Sequence, residues 1–177
     1  MKSRLKNSTL KLYMNNVFVG QLTRQLNGAL NFTYESSWVN DSQSIPLSLS
    51  LPLTTKIYSG DVVINYFDNL LPDNAGIRKV LAQRMSIPTQ EVYDLLSAIG
   101  RDCVGAVQLI PSGEEVAPNL SIQATPITSL EIAKVLKNLK NFPLGARADE
   151  NFRISIAGAQ EKTAFLKINN KWHIPHG

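Results

Sequence analysis

The sequence is short of the residues that most metal and nucleophile sites require. Its 177 residues include one cysteine, Cys103, which excludes an internal disulfide and a cysteine zinc cluster. The two histidines, His173 and His176, both fall in the last five residues. That placement argues against a Ser-His-Asp triad and against a multi-histidine metal site. No apolar run reaches the roughly 18 residues of a membrane-spanning helix, and Met1 to Leu12 is polar and basic, without the apolar stretch of a secretory signal. The expectation is a cytoplasmic protein with no membrane contact. Acids are absent from residues 1–34, which carry Lys2, Arg4, Lys6, Lys11 and Arg24, while the rest holds 13 bases against 14 acids. The formal charge of +4 therefore arises in the N-terminal segment. Five charges spread so thinly read as a solvated basic end rather than a concentrated phosphate-reading face. What is present is a globular composition, with 44% apolar and 18% charged residues. The length suits one ordinary domain or two small ones.

Local patterns divide the chain. Leu10–Met14 and Val17–Leu22 flank Asn15-Asn16, which predicts a β-hairpin because asparagine tolerates the positive φ of a tight turn. Asn27-Gly28 marks a second turn, and Ala29 to Tyr34 alternates as a third strand. Glu35 to Ser44 reads as a polar loop. Leucine at 47, 49, 51 and 53 keeps strict period two between Pro46 and Pro52, which predicts an edge strand or extended segment with one face buried. Helical spacing begins at Asp61 and runs to Leu71; Pro72 breaks it, and Asp73 is the expected cap of a helix reaching about residue 85. Thr89 is the expected cap of the next helix, which carries Val92, Leu95, Leu96 and Ile99 on one face and ends at Gly100. A buried strand follows over 105–111, with Cys103 just before it as a packed thiol. Residues 112–127 are polar and read as a linker. Thr128 and Glu131 have capping-box spacing ahead of Leu130, Ala133, Leu136 and Leu139, and Pro143 closes that element. Phe152–Ile156 and Thr163–Ile168 read as strands around a turn; Asn169-Asn170 then turns the chain into Trp172–Pro175.

The one stretch that invites chemistry is Ile154 to Lys162. Ala157, Gly158, Ala159, Gln160, Glu161 and Lys162 form a small-residue loop between two strands. Small residues let backbone N–H groups approach an anion closely, and such hairpins can cover nucleotide phosphates. The text matches neither common phosphate-loop pattern. From the residues alone, an ordinary hairpin turn with solvated charges and a structural Ser155 remains the simpler reading.

Several stretches together resemble the N-terminal portion of the HipA family, the kinase toxins of bacterial toxin–antitoxin pairs. They are Asn15–Leu22, Pro46–Leu53, Tyr66–Asp73, Asp94–Val107 and Phe152–Ala164. The resemblance implies the N-terminal lobe of an atypical two-lobed serine/threonine-protein kinase. It implies that Ala157–Lys162 covers the phosphates of ATP with Mg²⁺ present, and that Ser155 is autophosphorylated. A dianionic phosphate there would repel the nucleotide and eject the loop, switching the kinase off. The family's target is glutamyl-tRNA synthetase, and its partner is a HipB-like helix-turn-helix antitoxin that carries the operator-DNA contact. DNA is therefore reached only indirectly.

The family continues past the position of Gly177 with an ATP-binding lysine and a C-lobe that holds the catalytic and metal-binding aspartates. No residue here matches those motifs, so no catalytic or metal residue is assigned, and this chain alone is expected to lack kinase activity. Three readings follow: the N-lobe of a HipA-like kinase, a stand-alone module that complements or inhibits a separate kinase core, and a remnant that binds the antitoxin. The expected architecture is α+β, with small antiparallel sheets and packed helices. Residues 1–111 form a first subdomain, 112–127 a linker, and 128–177 the start of the kinase N-lobe. Apolar surface is expected around Phe165, Leu166 and Trp172.

Overall fold

The computed structural model describes residues 8–103, 106–114, 123–138 and 163–176. Strands β1 (Ser8–Met14) and β2 (Val17–Arg24) form the hairpin that the sequence predicts. Asn15 and Asn16 take φ of 50° and 65°, the paired left-handed geometry of a tight hairpin turn. β3 (Leu30–Tyr34) follows, and then a short β4 (Tyr58–Ser59). β5 (Val107–Pro111) returns to pair with β1, giving a five-stranded sheet in the order β4-β3-β2-β1-β5. All its pairings are antiparallel.

A bulge interrupts the first hairpin: Leu12 opposes Gly20 while Tyr13 opposes Phe18, so Val19 is the extra residue. Gly20 sits where a side chain has no room. A Cβ added there would lie 2.3 Å from the Thr33 carbonyl oxygen of the neighbouring strand.

One face of the sheet carries Leu10, Leu12, Leu22, Phe32, Tyr34 and Leu109, all buried. Helices α2 (Asp61–Asp68), α3 (Ala75–Arg84) and α4 (Val92–Ile99) supply the apolar residues packed against that face. Val63 and Phe67 come from α2, Ile77 and Leu81 from α3, and Leu95, Leu96 and Ile99 from α4. Phe67 meets Phe32 with ring centroids 5.7 Å apart, and Phe32 meets the edge of Tyr34 at 4.8 Å. Each such fully buried side chain contributes roughly 1.5–3 kcal/mol relative to exposure. Cys103 is buried in the same cluster and its thiol donates to the Gly100 carbonyl, which makes it the packed thiol expected.

Several local expectations change. The polar loop at 35–44 contains a short helix, α1 (Ser36–Asn40). Trp38 and Val39 on it pack against the core, and two apolar anchors were enough to wind one turn. The leucine alternation at 47–53 is not a strand: its ladder is a single bridge between Ser48 and Leu51. Pro46 and Pro52 lack the N–H that a ladder needs, and Ser48 reverses the chain by accepting from the Leu51 amide through its carbonyl. Leu51 is consequently fully buried while Leu49, on the turn, is 98% exposed. The cap of α3 is Asn74, not Asp73; its side-chain oxygen accepts from the amides of Gly76 and Ile77. The cap of α4 is Glu91, without a side-chain cap bond; Thr89 instead accepts from the Glu91 amide and donates to Asp94.

A second, three-stranded sheet has the order β6-β8-β7. Its strands are β6 (Gln123–Pro126), β7 (Leu166–Ile168) and β8 (Lys171–His176). β6 falls inside 112–127, the stretch read as a linker. Thr-Pro near its end and a polar lead-in masked its pairing with β8. Between β6 and β7 lies α5 (Ser129–Lys137), opened by the expected capping box of Thr128 and Glu131. None of the residues of α5 is fully buried.

Candidate functional site

The residues that the sequence singles out, Ser155 and Ala157–Lys162, lie outside the described residues, as do Phe152–Ile156 and Pro143. The segment that follows them is described. β7 begins at Leu166, three residues later than the strand expected from Thr163. Asn169 and Asn170 take φ of 46° and 64° and turn the chain tightly into β8, the same solution as at Asn15-Asn16. The register pairs Leu166 with His173, Lys167 with Trp172 and Ile168 with Lys171. The Lys167 ammonium lies 5.5 Å from the Trp172 ring centre, a cation–π distance. The amide of Ile127 donates to the Trp172 carbonyl, which joins the lead-in of α5 to the sheet. The apolar surface expected here is partly present: Trp172 is 40% exposed, while Phe165 and Leu166 are half-buried.

Elsewhere among the described residues, several charged side chains pair with each other. Arg24, at the end of β2, reaches across 70 residues of sequence to Asp94 on α4, with Nη1 2.5 Å from Oδ1. The other Asp94 oxygen accepts from the Thr89 hydroxyl at 2.6 Å. The Arg24 guanidinium also lies over the Tyr93 ring, 4.4 Å from its centre. Burial raises the Tyr93 phenol above its ordinary range. Arg24, Tyr93 and Asp94, with Ser8, Met85 and Pro111 among others, line a surface groove of about 540 Å³. No sequence pattern announced it, because the pair depends on two elements meeting only in the fold. Its two charges pair with each other through Arg24 Nη1 and Asp94 Oδ1, while Arg24 Nε and Ser8 Oγ are buried without a hydrogen-bond partner.

A second polar cluster holds the chain around Pro72. Arg78 donates through Nε to the Pro72 carbonyl at 2.6 Å and through Nη1 to Asp68 at 2.6 Å. This clamp fixes the α2–α3 connection within the stretch Tyr66–Asp73. A third cluster fixes Pro46–Leu53: the Tyr34 hydroxyl donates to the Leu51 carbonyl at 2.6 Å and accepts from the Leu47 amide at 2.8 Å. The Tyr58 hydroxyl donates to the Pro52 carbonyl. Among the described residues no cluster of three histidine, cysteine, aspartate or glutamate side chains could hold a metal ion. None of their helices is long and apolar enough to cross a membrane.

Residues 10–110 match the family described as the HipA N-terminal domain. That span is the β1-to-β5 unit with its three packed helices. The chain belongs to the HipA family. Its likeness to HipA proteins extends past residue 110. The Y4mE protein of Sinorhizobium fredii, a candidate kinase by name, is 32% identical over 169 residues, covering 94% of this chain and 40% of the relative. The serine/threonine-protein kinase toxin HipA of Shewanella oneidensis is 27% identical over 162 residues, covering 90% of this chain and 35% of the relative. A solved complex of Shewanella oneidensis HipA with HipB and operator DNA contains the same fold. It matches with a TM-score of 0.67 at 21% identity, over 93% of this chain and 37% of that one. This HipA-type chain therefore spans 40% or less of these longer relatives. A shorter protein of Haemophilus influenzae is 29% identical over 99 residues, which cover 88% of it.

Proposed function

We propose that this chain is the N-terminal lobe of a HipA-like serine/threonine-protein kinase toxin of a toxin–antitoxin system. In the whole protein the C-lobe supplies the catalytic and metal-binding aspartates and holds ATP with Mg²⁺. Ala157–Lys162 covers the nucleotide phosphates, and phosphorylation of Ser155 displaces that loop. The target is a protein, glutamyl-tRNA synthetase by the family resemblance, and the partner is a HipB-like helix-turn-helix antitoxin. The observation that carries this reading is continuity: the likeness covers 93% of the chain rather than ending with the N-terminal unit of residues 10–110. Phosphoryl transfer needs carboxylates to hold Mg²⁺ and a group to orient the attacking hydroxyl. Neither is assigned in this chain, so no kinase activity is expected of it alone.

The test has two parts. An antibody to this chain is used to blot lysate of the source cell; a band well above 19.6 kDa supports the reading, and a band at that mass turns it toward a separate partner. The purified chain is also incubated with labelled Mg·ATP. No label is expected, and label on Ser155 would overturn the inactivity of the lone lobe.

The Haemophilus influenzae relative favours a second reading, because a 99-residue match spans 88% of it. In that reading the N-terminal unit works as a separate module that complements or inhibits a kinase core encoded elsewhere. Pull-down with a kinase core and, separately, with the antitoxin distinguishes the two.

A further inference from the structure

We draw no further inference here: the strongest candidate, the braced Ser48–Leu51 turn that holds Leu49 exposed on an uncharged loop, is an unpartnered apolar feature, and nothing in the structure shows what covers it.

Discussion

Replacing Tyr34 by phenylalanine removes one oxygen atom and two hydrogen bonds. The hydroxyl donates to the buried Leu51 carbonyl and accepts from the Leu47 amide, so it joins both ends of the Pro46–Leu53 loop to β3. The ring itself is retained, along with its edge contact to Phe32. The loss is therefore polar, not volumetric. A buried group left without a partner costs about 1–3 kcal/mol. The Leu51 carbonyl is fully enclosed and falls in the upper half of that range; the Leu47 amide is only part-buried and falls in the lower half. The expected total is about 3–5 kcal/mol. For a chain of this length that corresponds to a fall in Tm of roughly 6–20 °C. Urea unfolding at neutral pH, followed by circular dichroism, reads the first quantity. Hydrogen exchange at the Leu47 amide reads the mechanism, and its protection should drop at least tenfold. A variant within about 0.5 kcal/mol of the parent, with Leu47 protection unchanged, would refute the idea that this hydroxyl holds the loop.

Gly20→Ala should destabilise by about 1–3 kcal/mol in the same urea assay, because the contact at 2.3 Å is with backbone and no rotamer relieves it. An equally stable Gly20→Ala chain would mean that β2 and β3 separate more easily than their register implies. Asp94→Ala strands the mostly buried Arg24 guanidinium, at 18% side-chain exposure, and should cost about 1–3 kcal/mol. Arg24→Met with Asp94→Leu should recover part of that, since it leaves no charge unpaired and only the exposed Thr89 hydroxyl without its partner; a double variant worse than the single one contradicts this. Burial pushes the Tyr66 phenol from 10.0 up to about 12. Its folded pKa is raised, so its contribution is fully present below about pH 10 and is lost as pH rises through about 12. Melting curves across that window should fall less steeply for Tyr66→Phe than for the parent, and identical slopes would remove Tyr66 as the cause.

What was legible in the sequence was what depends on neighbours in the chain. Asn15-Asn16 and Asn169-Asn170 specify hairpins because the left-handed geometry is local to two residues. The capping box at Thr128 and Glu131 is likewise a three-residue spacing. The period-two reading places Leu47, Leu49, Leu51 and Leu53 on one buried face; Leu47, Leu51 and Leu53 do turn inward, but the reversal between them leaves Leu49 exposed. That turn depends on the Tyr34 hydroxyl, thirteen residues before Leu47. Asp73 and Asn74 are both good caps, and only the exit path from Pro72, clamped by Arg78, decides in favour of Asn74. The Arg24–Asp94 pair had no sequence signal at all. The nucleotide-loop reading of Ala157–Lys162 and Ser155 came from resemblance, since the bare pattern there was compatible with an ordinary turn.

The position of β5 has a consequence for synthesis. β1 leaves the ribosome well ahead of its outer neighbour, since Leu10 pairs with Pro111, about a hundred residues later. At translation rates of roughly 5–20 residues per second, that edge of β1 stays open for about 5–20 s. During that interval the first hairpin presents an unpaired apolar strand, the kind of edge on which nascent chains associate. Closure by a distant strand also gives the unit a high contact order, which slows folding even after release. A cell making this protein must therefore carry it through a vulnerable interval that no inspection of the finished sheet would suggest.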